Sequence, residues 1–269
     1  MSINSVNTLS SLNRAHQASS VSMRKLATGS KFPGAAFGPS DYAIIQRTYS
    51  GIGAAAQANN NTQNANSILA TASGAAGNTI EMLSSLRSQI LQAANGTNGS
   101  SDLATLQKSV NATIGAIDDN AYTATFNGKT LLDGSQGSVA VADTDGYTNV
   151  PLGNLTAKGL GLTDDQGNST IDLTNPDSIS SALDTVDSAL NKALDQATTI
   201  GAAQQGLEYK SANQTAVEEG LLGQASVMDS TDIAKEVTKL SSSRTLEQMA
   251  LFATKMQMQN RSSVLSLLS

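Results

Sequence analysis

The two ends of the chain constrain its fold most. Nothing after Gly223 is Gly or Pro. Beyond Asp229-Ser-Thr-Asp232, apolar residues recur at Ile233, Val237 and Leu240, then at Leu246, Met249, Ala253 and Met256. Steps of three and four place them along one side of a helix. At ~1.5 Å per residue that helix runs roughly 55 Å. A single stripe of that length cannot bury itself and needs a partner helix. The opposite end supplies one: Leu9, Leu12, His16, Ser19, Met23 and Leu26 alternate steps of three and four, the spacing of a heptad seam. Asp229 and Asp232 offer carboxylates at the start of the last helix, with Ser230 or Thr231 as its cap.

Composition agrees with slender helical packing. Aromatic residues make up 3% of the 269 residues, and Trp is absent. Without large rings to thicken a core, helices lined with Ala, Ser, Thr, Asn and Gln are expected. A net charge of −6 and the lack of a basic run argue against nucleic-acid binding. The absence of Cys excludes a disulfide scaffold or a thiol enzyme. No cleaved secretory signal and no membrane-inserted segment is expected, since neither apolar pattern occurs.

The chain divides into five expected segments. Residues 1–40 hold the first helix, ended by Thr28-Gly29-Ser30, and a non-helical spoke containing Pro33, Gly34, Gly38 and Pro39. Residues 41–132 hold a long helix from Ser40-Asp41 towards Asn95, with the stripe Leu69, Ala72, Ala76, Ile80, Leu83, Leu86 and Ile90. A turn cluster, Asn95-Gly-Thr-Asn-Gly-Ser100, leads to a shorter helix with Leu103, Leu106, Val110, Ile114 and Ile117 on one face. Asn127-Gly128 is the favoured pair for a tight hairpin turn. Residues 133–176 read as short strands and loops forming a small tip. Residues 177–228 restart helix with the stripe Ile179, Leu183, Val186, Leu190, Leu194 and Ala197. Residues 229–269 form the last helix. The expected fold is mainly α, a long antiparallel helical bundle or coiled coil with a small tip containing a β-hairpin.

Four segments carry a family resemblance: Leu26-Ala-Thr-Gly29-Ser30, Leu91-Gln-Ala-Ala-Asn95 with Ser101-Asp102-Leu103, Phe126-Asn-Gly128-Lys129, and Asp229-Ser-Thr-Asp232 through to Val264-Leu-Ser-Leu-Leu268. In this order and spacing the chain resembles bacterial flagellin, with a reduced central variable region. It departs from the family at Pro33-Gly-Ala-Ala-Phe-Gly-Pro39, where many flagellins carry an acidic-Ala-Ala-Gly motif. Leu83 to Gln89 resembles the stretch that innate immune receptors contact in some flagellins, with Arg87 kept but Ser85 and Gln89 replacing the usual Arg and Leu.

The resemblance implies a structural subunit that polymerises head to tail into the flagellar filament for motility. It implies secretion to the extracellular filament by type III export, and terminal helices that order on incorporation. The expected filament interface comprises Leu9, Leu12, Leu26, Arg87, Ile90, Met249, Met256, Val264, Leu265, Leu267 and Leu268. An export chaperone is expected to cover Leu240, Leu246, Met249, Met256, Leu265 and Leu268, the Met side chains giving adaptable packing. Further implied partners are the type III export apparatus, hook-associated proteins and the cap. The hook–filament junction protein, which resembles flagellin at both ends, is the alternative. No catalytic group, cofactor or metal is expected. The single His, His16, sits on a heptad seam, and Asp118, Asp119, Asp143, Asp145, Asp164 and Asp165 lack the spacing of a calcium loop.

Overall fold

In a computed structural model, the chain is described over residues 3–268, with side chains described for 7–175, 177–260 and 262–263. It contains helices α1 (Ile3–Thr28), α2 (Pro39–Ala93), α3 (Ser100–Thr123), α4 (Ala157–Leu160), α5 (Ile179–Asp229) and α6 (Ile233–Leu268). Two antiparallel hairpins are formed by β1 (Thr125–Phe126) with β2 (Lys129–Thr130), and by β3 (Ser138–Asp143) with β4 (Gly146–Pro151). The chain packs as two compact units, residues 1–53 with 218–269, and residues 54–217.

The terminal unit is built on the antiparallel pair α1 and α6. Gly29 ends α1 at φ +68°, a left-handed conformation that Gly adopts without steric cost. The spoke that follows is zipped to the α5–α6 junction. Thr231 N–H donates to the Gly29 carbonyl (3.0 Å), Lys31 N–H donates to the Asp229 carbonyl, and Ser30 bridges Ser230. Asp229 is the knot of this junction, accepting from the Ser30 hydroxyl on one oxygen and from the Tyr49 hydroxyl on the other (3.1 Å). Burial, and then the Asp229 carboxylate, raise the Tyr49 pKa above its ordinary value. Within the spoke, a single 3₁₀ turn (Ala35–Phe37) leads to Gly38, where a Cβ would sit 2.8 Å from the Phe32 ring. The helix cap differs from the sequence expectation. Asp232, not Ser230 or Thr231, caps α6 by accepting from Lys235 N–H (3.0 Å), because Ser230 is held in the bridge and Asp229 closes α5.

The central unit owns a continuous apolar core. The α2 stripe lies as its spacing predicts, with Leu69, Leu83, Leu86 and Ile90 fully buried, and Val110, Ile114 and Ile117 of α3 join it. On α5 the buried line is Ile179, Ala182, Val186, Ala189, Ala193, Ile200 and Leu207, and Leu194 lies outside it. Small Ala residues thus take the contact that spacing had assigned to Leu. The β1–β2 turn falls at Asn127-Gly128, both at positive φ (49° and 75°). Residues 131–173 wrap onto the helices through Leu132, Leu155, Leu160, Leu162, Ile171 and Leu173. Polar side chains pin this wrap. Gln107 donates to the Ile171 carbonyl and accepts from Leu173 N–H, and Asp118 accepts from Ala157 N–H. The β3–β4 hairpin is tied down by Asp143, which pairs with Lys210 (2.6 Å) and accepts from Gln214 (2.7 Å). Gln214 in turn accepts from the buried Thr62 hydroxyl. Lys210 chiefly holds the Asp143 carboxylate down at about 2, against the effect of burial.

Candidate assembly interface

The α1–α6 seam is made of small and polar side chains. On α1 the covered positions are Thr8, Leu12, Ala15, Ser19, Ser22 and Leu26, a heptad that keeps Leu12, Ser19 and Leu26 of the expected line but is rotated by one residue where Leu9, His16 and Met23 were expected. On α6 they are Glu236, Leu240, Ser243, Glu247, Ala250, Thr254 and Gln257, again in steps of three and four. Thr8 donates to Gln257 (3.1 Å), and Ser22 donates to Glu236 (2.8 Å). His16, exposed, pairs with Glu247 at 3.0 Å. The rotation has a physical reason. Apolar size identifies a seam only when large residues fill it, whereas Ala and Ser let two helices approach closely and satisfy each other by hydrogen bonds.

Glu236 is the buried charge of this seam, 5% exposed. Burial alone would raise its pKa, but the Ser22 hydroxyl and the charges of Lys239 and Lys25 outweigh it and hold the carboxyl below its ordinary value. Its second carboxylate oxygen pairs with Lys239 (3.1 Å).

The large apolar side chains of the same helices point elsewhere. Leu9 and Met23 on α1 are exposed, as are Ile233, Val237, Leu246, Met249, Leu251, Phe252, Met256 and Met258 on α6. Met249 and Phe252 are 62% and 67% exposed, so neither side chain is covered within the chain. Exposed apolar surface of this extent marks a protein-interaction face. Of the residues expected there from sequence, Leu9, Leu246, Met249 and Met256 are exposed, whereas Leu12, Leu26 and Leu240 are half-buried at the seam. The side chains of Val264, Leu265, Leu267 and Leu268 lie outside the described residues. Ile90 must be corrected. It is fully buried in the core of the central unit and cannot reach a neighbour without unpacking it. Arg87 is on the surface of that unit, held to Asp187 by its Nε (2.6 Å) yet 44% exposed. Sequence reasoning missed Leu251 and Phe252, which fall outside the single stripe drawn along α6, whereas Met258, expected beside Met249 and Met256 at the chaperone site, is exposed. Phe252 had a signal of its own, as one of only four Phe in the chain.

Among the described residues no group of three or more His, Cys, Asp or Glu is placed to hold a metal ion. No described helix is long and apolar enough to cross a membrane.

A long helical chain with a self-sufficient central core and terminal helices that leave their large apolar residues uncovered defines the class of helical assembly proteins. Residues 1–137 match the bacterial flagellin N-terminal helical region and residues 183–268 the bacterial flagellin C-terminal helical region. The chain belongs to the bacterial flagellin family. It is 28% identical to the flagellar filament 30.7 kDa core protein of Treponema maltophilum, over 92% of this chain and 91% of that one. It is likewise 28% identical to the flagellin of Bacillus subtilis, over 99% and 98% of the two chains. Among solved structures it resembles Bacillus cereus flagellin at 26% identity and a TM-score of 0.50, over 58% of this chain and 88% of that one. A putative flagellar hook-associated protein from Vibrio parahaemolyticus shares the fold at a TM-score of 0.60 and 16% identity, over 71% and 99% of the two chains.

Proposed function

We propose that the chain is the structural subunit of a bacterial flagellar filament, polymerising through its terminal helices. One observation carries the reading: the α1–α6 pair spends small and polar residues on itself and leaves Met249, Leu251, Phe252, Met256 and Met258 uncovered. Burying apolar surface is worth ~25 cal/mol per Å², so contact with further copies is the stabilising step such a face lacks. Repeating one head-to-tail contact without ring closure yields a helical filament. Leu9, Leu12, Leu26, Arg87, Met249, Met256, Val264, Leu265, Leu267 and Leu268 are the proposed contact residues between subunits.

Export and assembly partners belong to the same proposal. The subunit leaves the cell unfolded through a type III apparatus, with a chaperone on Leu240, Leu246, Met249, Met256, Leu265 and Leu268 until release. It then meets hook-associated and cap proteins at the growing extracellular filament. The hook–filament junction reading is carried less well. The filament core protein and flagellin relatives match over nine-tenths or more of both chains, whereas the hook-associated likeness is one of fold.

Negative-stain electron microscopy of the purified chain, given filament seeds or a precipitating salt, tests the proposal. Long uniform tubes are expected from the full chain and none from a chain lacking residues 229–269. A full chain that stays monomeric with seeds would sink the filament reading in favour of the junction protein.

A further inference from the structure

The chain contains three Asn-Gly pairs, at 95–96, 98–99 and 127–128. Asn-Gly is where spontaneous deamidation has least steric resistance, because no Cβ shields the attacking nitrogen. The folded chain treats the three very differently, and we infer that Asn95 is the one of these three where non-enzymatic deamidation is favoured.

The reaction needs the Gly backbone nitrogen to reach the Asn side-chain carbonyl carbon. A bond forms from that nitrogen to Cγ, the Cγ–Nδ2 bond breaks, and ammonia leaves carrying the proton lost by the backbone nitrogen. Water then opens the cyclic imide on either side, leaving aspartate or isoaspartate. No other reactant is required.

Asn127 is blocked by geometry. Asn127 and Gly128 form a tight turn clamped by the Thr125–Thr130 and Phe126–Lys129 pairs. A type I′ turn holds ψ of its first central residue at about +30°. That angle swings the Gly128 nitrogen away from the Asn127 side chain. Asn98 is blocked by hydrogen bonds. The Gly99 N–H, its would-be nucleophile, donates to the Asp102 carboxylate at 3.0 Å. The leaving amide is also held, donating to the Gln92 carbonyl at 2.6 Å and the Ala93 carbonyl at 3.4 Å.

Asn95 has neither protection. It lies exposed in the bend after α2, and the Gly96 N–H has no intramolecular acceptor among the described residues. Thr97 N–H approaches Asn95 Oδ1 at 3.4 Å, on the oxygen where negative charge develops as the ring closes. The product matters locally. A carboxylate just past the C-terminus of α2 faces the negative end of its dipole. Isoaspartate also lengthens the backbone inside the turn that Asn98 N–H closes onto the Asn95 carbonyl (3.1 Å).

Peptide mapping by mass spectrometry, with isoaspartate detection, tests the assignment on the folded full chain held in mildly alkaline buffer. Conversion at Asn95 is expected at least about tenfold faster than at Asn98 or Asn127, the factor set by breaking the Gly99–Asp102 bond. In the urea-unfolded chain the three rates should converge. Asp102→Ala should raise conversion at Asn98 towards that at Asn95, with helical circular dichroism confirming the fold. The inference is overturned if Asn98 or Asn127 keeps pace in the folded chain, or if the same order persists after unfolding. Should Asp102→Ala not fold, the folded-against-unfolded comparison decides alone.

Discussion

The terminal and central units solve opposite problems. In the central unit Leu69, Leu83, Leu86, Ile90 and Ile117 face inward and are fully covered by the same chain. In the terminal unit Ser19, Ser22, Glu236 and Ser243 face inward, while Met249 and Phe252 face out. One region completes its hydrophobic burial alone, and the other leaves large apolar side chains uncovered, the face proposed for assembly. On that proposal, stability and assembly should be separable in this chain.

The widest test of that separation is Phe252→Glu combined with Met249→Glu. Electron microscopy should show assembly abolished, with the thermal melt of the monomer's central unit unmoved. A shift of that melt would mean the two side chains support the fold and not the contact between copies. Next in size is Leu86→Ala, which removes a fully buried side chain and should destabilise the central unit by about 2–5 kcal/mol in chemical denaturation. Ile117→Ala should behave alike. Amide exchange should place the loss in the central unit.

The sequence reveals these regions unequally, for a physical reason. In α2 and α3 the large apolar residues and the contact face coincide, so Leu69 to Ile90 and Leu103 to Ile117 follow from spacing alone. Gly29 as a helix end and Asn127-Gly128 as a hairpin turn follow from backbone sterics. The seam of the terminal pair follows only in part: Leu12, Ser19 and Leu26 lie on the expected line, but Ala15, Ser22 and Ser243 carry no hydrophobic signal. Size pointed to Leu9, His16 and Met23, one position away. The buried line of α5 was displaced for the same reason, Ala189 and Ala193 taking the contact and Leu194 staying out. Ile90 shows the limit of a stripe, which tells which residues are buried but not whether the cover is the same chain or another.

Ser22→Ala probes the polar seam directly. Removing the hydroxyl leaves the buried Glu236 carboxylate one partner short, a loss of about 1–3 kcal/mol. The melting temperature of assembled filaments should fall, while the central unit's melt in the monomer stays put. An unchanged filament melt would show that water replaces the hydroxyl and that the seam is looser than its hydrogen bonds suggest.

Acid separates the units less sharply. Asp143 sits at about 2 when folded, against 3.8 for the free side chain, so its charged form favours the folded state. That contribution is complete above the unfolded value and is lost as pH falls from about 4 towards 2. Its ceiling is ~2 kcal/mol, reduced by screening around the partly exposed Lys210. Asp143→Asn should flatten the acid limb of the central unit's stability curve over that window. An unaltered limb would assign the acid sensitivity to other carboxylates.

Arg87 should show the smallest effect on stability and still be informative. Its bond to Asp187 joins α2 and α5 in full view of solvent, where pairing contributes little and is screened by salt. Arg87→Ala should therefore leave the monomer melt where it is. The guanidinium has five N–H donors, and its Nε and one terminal nitrogen contact Asp187. The remaining donors can meet an acceptor on a neighbouring copy. Seeded elongation followed by light scattering should then slow in the variant, most at low ionic strength. A lowered melt with unchanged elongation would make Arg87 a brace of the central unit, and would confine the assembly face to the terminal helices.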